Sequence, residues 1–290
     1  MKRVAVARFI LGLVAALGST GDGARVFAQH VHLFSGAETN QPGARLILVN
    51  RASYDTNSNG GISPECFFMR GDDPLYPGLF QSDATFVSLP ATLWTGGPAP
   101  NCAAAGAYVE AQVISVSGPA GGEIGLWQEN EDATQTTKLL TIPVDTNGGT
   151  NRFNVSEGVL TPDGPDPFGH IHGRRFTANK PGLYVVGFQL FDTSTAGPNG
   201  GAIHAPSVTN YFYFQSGFFI DSISRTNTSV TLRFGVSPFK SYVLEGNANL
   251  ATTNWVTLDG FLGNSHSHLQ LLTDTNAIAP ARFYRVRQLN

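Results

Sequence analysis

Seven histidines are the residues most able to do metal chemistry in this chain. Six of them fall in His-x-His pairs, His30/His32, His170/His172 and His266/His268, and His204 stands alone. In an extended strand residues i and i+2 point to one face, with Cα atoms about 6.5–7 Å apart. Two imidazoles so placed can turn toward one ion, each offering a nitrogen at about 2.0–2.1 Å from zinc. An all-imidazole donor set without thiolate suits zinc, a borderline-soft ion with no redox role. The densest segment is Phe168-Gly169-His170-Ile171-His172-Gly173-Arg174-Arg175-Phe176. There Ile171 is expected to face the core while His170 and His172 face the other way, and Gly169 and Gly173 let other backbone come close. His204 follows the Gly-rich loop 197–201, the kind of place where binding residues are carried. If they converge, His30, His32, His170, His172 and His204 make a zinc site. His266-Ser267-His268 has no third partner nearby and reads as a solvated pair.

The start of the chain sets the expected compartment. Lys2, Arg3 and Arg8 border an apolar run from Phe9 to Leu17, of signal-peptide rather than membrane-spanning length. Val26-Phe27-Ala28 offers small residues where signal peptidase needs them, so residues 1–28 are read as a signal peptide. The 18 Lys and Arg against 21 Asp and Glu give a formal charge of −3. Removing residues 1–28 takes away four positives (Lys2, Arg3, Arg8, Arg25) and one negative (Asp22), so the mature chain is more acidic still. A strongly basic nucleic-acid binder is excluded by that balance. No later apolar run is long enough to span a bilayer, so the expected location is secreted or at the cell surface. Cys66 and Cys102 fit an oxidising destination. A bridge between them would stabilise by about 3–4 kcal/mol in the chain-entropy model; two free buried thiols, or thiolate metal ligands although no CxxC spacing is present, are the alternatives.

Other chemistries compete. A copper histidine brace needs a histidine at the mature N-terminus, and cleavage after Ala28 leaves Gln29 in front of His30. A zinc hydrolase needs an open coordination position and a general base; Asp166 and Asp192 lie near the histidine segments in sequence, but no sharp hydrolase motif accompanies them. Nucleophile-elbow, Walker and dinucleotide glycine patterns are absent. Asp55-x-Asn57-x-Asn59-Gly60 begins like a calcium loop, yet its twelfth position is Cys66 rather than Glu, and it reads as a polar turn. Tyr211-Phe212-Tyr213-Phe214 could stack sugars, but such alternation more often puts Phe in the core and Tyr at a sheet surface.

The elements that must position these residues read as strands. Apolar or alternating runs occur at 44–50, 84–89, 107–116, 137–142, 182–191 and 210–216, separated by Gly-, Pro- and Asn-rich turns. With 33 Gly, 17 Pro and only 13% charged residues, and no sustained 3.6-residue period, a helical repeat is excluded. An all-β sandwich or jelly roll is expected for residues 29–217. From Phe218 six short strands crowd into the remaining residues, a second small β-domain over 218–290.

Two resemblances add to this. The stretch GHIHGRRFTANKPGLY (169–184) looks like the signature of a zinc-responsive, Zur-repressed type of secreted bacterial surface protein. Further points of match are His30-Val31-His32, Ser115–Gly122, Leu126-Trp127 and Ile203–Ser207, covering residues 30–217. The resemblance implies an exported protein produced under zinc limitation that binds zinc; the role expected here is to buffer zinc or deliver it to a zinc transporter or cell-surface component. Carried over residue by residue, its ligands are His30, His32, His170, His172 and His204. The C-terminal stretch, with Tyr242–Glu245, Asn254-Trp255, Asp274–Asn276 and Arg282–Val286, resembles a fibronectin-like module of secreted Verrucomicrobia and Planctomycetes proteins, with no known catalysis. Adhesion or carbohydrate binding without a metal is the alternative for the whole chain.

Overall fold

The computed structural model describes residues 31–48, 67–82, 84–89, 91, 100–130, 132–156, 167–171, 173–237, 239–263, 268–278 and 282–289. They form an all-β, sandwich-type fold. In chain order its first strands are β1 (Val31–Ala37), β2 (Leu46–Leu48), β3 (Phe67–Met69), β4 (Phe80–Ser82), β5 (Ala84–Ser88), β6 (Val109–Ser117) and β7 (Glu123–Glu129). Then come β8 (Thr136–Pro143), β9 (Thr146–Asn147), β10 (Arg152–Asn154), β11 (Gly169–His170), β12 (Arg174–Ala178), β13 (Gly182–Asp192) and β14 (Asn210–Ser216). The sheets run β11-β5-β1-β2, β4-β12-β7-β8 and β10-β6-β13-β14-β3, with β9 against β6.

Alternation explains the central pair. Along β13 Gly182, Tyr184, Val186, Phe188 and Leu190 are inward and buried. Its partner β6 keeps Val109, Ala111, Val113 and Val116 inward, although Val113 and Val116 differ in parity. The register shift between Gly187 and Phe188 supplies the extra residue, a bulge that returns the strand to its inward phase.

The sheets meet at a core of phenylalanines. Phe86 and Phe176, on the β5 and β12 sheets, interleave with Phe153, Phe188, Phe212 and Phe214 on the third. The rings meet edge-on or tilted, with Phe86–Phe188 at 5.3 Å and Phe176–Phe188 at 5.7 Å between centroids. Because Phe188 touches Phe86, Phe153, Phe176 and Phe212, Phe188→Ala should cost about 3–5 kcal/mol, read from a urea unfolding curve.

The C-terminal strands are β15 (Ile220–Thr226), β16 (Ser229–Val236), β17 (Ser241–Asn247), β18 (Val256–Phe261), β19 (His268–Asp274) and β20 (Phe283–Leu289). They make two three-stranded sheets, β15-β16-β19 and β18-β17-β20, around a second buried cluster that includes Leu232, Phe234, Tyr242, Leu244 and Leu272. Near the junction the buried Gln215 side chain donates to the Val236 carbonyl at 3.2 Å. Among the described residues no helix is long and apolar enough to cross a membrane.

Candidate metal centre

The strand pairing of β5 brings two of the expected ligands to one sheet. β1 runs parallel to β5 with His32 opposite Thr85 and Leu33 opposite Phe86. β11 lies antiparallel on the other side of β5 with His170 opposite Val87. Leu33 and Phe86 both belong to the main core, so by register positions 32, 85, 87 and 170 share the other face of the sheet, where Thr85 and Val87 are themselves buried. Two strand spacings and a two-residue offset put the Cα positions of His32 and His170 about 12 Å apart. Along those strands Leu89 and Phe168, two residues beyond Val87 and before His170, pack with Cys102 in a small separate cluster.

His30 and His172 lie outside the described residues, as do His266, Cys66, Asp166, the segment 1–28 read as a signal peptide and the calcium-like loop 55–66. Among the described residues no three His, Cys, Asp or Glu side chains gather as a ligand set. The Cys102 thiol is free and buried, and burial pushes its pKa up, which makes it a poor nucleophile or ligand.

By strand register His204 is not brought beside His32 or His170. Residues 203–205 run beside β2, with Ala205 bridged to Arg45. Leu46 in turn pairs with Ala37, at the far end of β1 from His32. With Ala205 opposite Arg45, position 204 stands opposite Ala44, seven residues along the line of β1 and two strands across, about 25 Å from position 32. The imidazole has structural work there. Its Nε2 accepts from the Ala104 N–H at 2.8 Å, and its Nδ1 lies 3.0 Å from the Ala44 carbonyl. The pattern requires the neutral ring with its proton on Nδ1, and it leaves no lone pair for a metal. His204→Ala should therefore destabilise the fold by about 2 kcal/mol through the unsatisfied Ala104 and Ala44 groups while leaving zinc stoichiometry unchanged. Thermal unfolding and metal analysis of one preparation check both halves.

Asp192 completes that corner. The buried carboxylate accepts from the backbone N–H groups of Tyr108 (3.0 Å), Ser194 (2.9 Å), Ile203 (2.8 Å) and His204 (3.0 Å). Burial acts to raise its pKa, but these donors outweigh it and hold the group below the ordinary carboxylate value. A carboxylate so saturated is a clamp on the 193–204 loop rather than a poised general base.

The residues just after the His170 segment form a polar network that sequence reasoning missed. Arg175 Nη2 pairs with Glu129 Oε2 at 2.9 Å, and the buried Tyr76 hydroxyl donates to Glu129 Oε1 at 3.0 Å. Burial first, then the Glu129 charge, keeps the phenol protonated well above its usual range. Tyr76 also meets Trp127 edge-on at 5.6 Å. Gly173 holds the turn into β12 at φ +75°, where a Cβ would meet the Glu129 carbonyl oxygen at 2.8 Å. A side chain there would be strained twice over. Arg174 points the other way, into the core-facing side of β12, and is only 9% exposed. Its signal was in plain view: an arginine at an inward position of an alternating strand, two residues before Phe176.

The third pair behaves as a fold element at its one described member. His268 is buried, its Nε2 lies 3.1 Å from Gln270 Oε1, and its ring meets Phe261 edge-on at 5.2 Å. On β14, Phe212 and Phe214 are buried while Tyr211 is exposed, the division expected of a sheet with one face on the core. No family model matches the chain, and no curated protein matches it.

Proposed function

We propose that the protein is an exported zinc binder whose ion is held on the face of the β11-β5-β1-β2 sheet opposite Leu33 and Phe86 by His32 and His170, completed by His30 and His172 of the same pairs. The observation that supports this reading is the register: β5 carries both histidine strands, and positions 32 and 170 share the face turned away from the phenylalanine core. At about 12 Å His32 and His170 stand near the outer limit for two imidazoles on one ion. Each pair therefore contributes through its i, i+2 spacing rather than through one residue. The flanking core strands β5 and β1 fix both backbones, as a preorganised donor set requires. The chemistry is binding, buffering and hand-over to a transporter or surface component, not hydrolysis. Asp192, one of the two carboxylates near the histidine segments, is committed to four backbone donors.

Imidazole binds zinc only when neutral, so protons compete with the ion. Zinc affinity measured by competition with a chromophoric chelator should fall steeply as pH drops through about 6. An affinity flat between pH 5 and 8 would rule out histidine ligation.

A further inference from the structure

We propose that Arg174 holds a monatomic anion, of chloride size, in the small cavity that it lines together with Ile171. The cavity of about 10 Å³ is lined by Thr85, Asn154 and Arg174 among Phe86, Phe153 and Phe176, with Ile171 at its edge. That is room for one water-sized particle, too little for phosphate or a carboxylate.

The donor inventory points to an anion rather than to water. A guanidinium has five N–H donors. Arg174 uses Nε on Gln128 Oε1 (3.1 Å), Nη1 on the Asn154 carbonyl (2.7 Å) and Nη2 on Asn154 Oδ1 (2.6 Å). All three acceptors are neutral, and one N–H on each terminal nitrogen is left over. Burial lowers its pKa to about 10, which still leaves it cationic at neutral pH. Several other arginines are met by carboxylates: Arg175 by Glu129, Arg282 by Asp274, Arg285 and Arg287 by Glu245. Among the described residues no ion pair reaches Arg174. A water in the cavity would leave the buried charge of Arg174, which lines it, unbalanced, and an unpaired buried charge is costly. A halide balances that charge, and the aromatic ring of Phe153, 5.8 Å from the guanidinium carbon, adds only a weak cation–π contact.

The test uses the full protein in sodium chloride, sodium bromide and sodium gluconate at matched ionic strength and pH 7. Chloride and bromide should raise the melting temperature saturably, by about 3–6 °C over gluconate for a site filled well above its dissociation constant. Arg174→Met should abolish the difference. A crystal grown in bromide should show an anomalous peak in the cavity, against the guanidinium, which reads the site even if the variant does not fold. Superimposed chloride and gluconate curves overturn the proposal. So does halide dependence that survives Arg174→Met, or a bromide crystal with no peak in the cavity, in which case the charge is balanced by the chain itself.

Discussion

Asp192→Ala is expected to lower the free energy of unfolding by about 3–5 kcal/mol, since each orphaned buried donor costs about 1–3 kcal/mol and the losses overlap rather than add. The four N–H groups it serves come from three places in the chain: Tyr108 before β6, Ser194 after β13, and Ile203 with His204 at the end of the loop. Losing the carboxylate frees that loop and with it the His204 contacts to Ala44 and Ala104. The pH dependence has a definite sign. Its folded-state pKa lies below the unfolded value, so the native state gains from the ionised form. The contribution is fully present above the ordinary carboxylate value near 4 and is lost as pH falls through the lower folded value. Glu245, held down by its hydrogen bond with Arg287 against the effect of burial, shifts the same way. So does Asp274, where burial opposes but the Asn276 N–H, Arg282 and Tyr284 prevail. Stability should therefore fall steeply below about pH 4, and Asp192→Asn should flatten part of that limb. Urea midpoints from pH 2 to 7 for both proteins check it. Parallel acid limbs would mean the carboxylate is not the clamp described.

The largest functional effect belongs to the histidine pairs. Losing a partner that merely orients a ligand costs about 10–100-fold in metal affinity, so His32→Ala with His170→Ala should weaken zinc by more than about 100-fold. Loss in each single variant should be smaller, because each pair retains its other member. His268→Ala should leave zinc affinity untouched, since its ring is spent on Gln270 and Phe261. Isothermal titration of the four proteins at pH 7.5 distinguishes the sheet face around β5 from a diffuse attraction of zinc to any surface histidine. In the diffuse case all variants would lose affinity in equal small steps.

How much of this was readable beforehand depends on which forces leave a trace in sequence. The long strands did: the apolar runs at 107–116, 182–191 and 210–216 are β6, β13 and β14, and the six short strands expected after Phe218 are β15 to β20. Alternation over seven or more residues is a strong signal because burial itself has period two. β4, β10 and β11 hold only two or three residues each, too few to show a period, and non-local pairing gives them their partners. The parallel pairing of β1 with β5 joins segments some fifty residues apart, as the 3.0 Å contact between the Ser35 and Ser88 hydroxyls illustrates. No local pattern encodes it. His204 shows the limit for site residues. A ligand and a backbone clamp both need an imidazole with two positioned nitrogens at a loop end, and only the position of Ala104 and Ala44 tells them apart. Arg174 was legible from its inward phase two residues before Phe176, a signal that the usual reading of charge as surface overrides.

The most direct test of the central reading is metal content by plasma mass spectrometry on the purified protein beside the His170→Ala/His172→Ala double variant. The account predicts near-stoichiometric zinc in the parent chain and its loss in the variant, with both proteins melting as folded. A parent chain that stays free of zinc after reloading, or a variant that keeps its full complement, would contradict it.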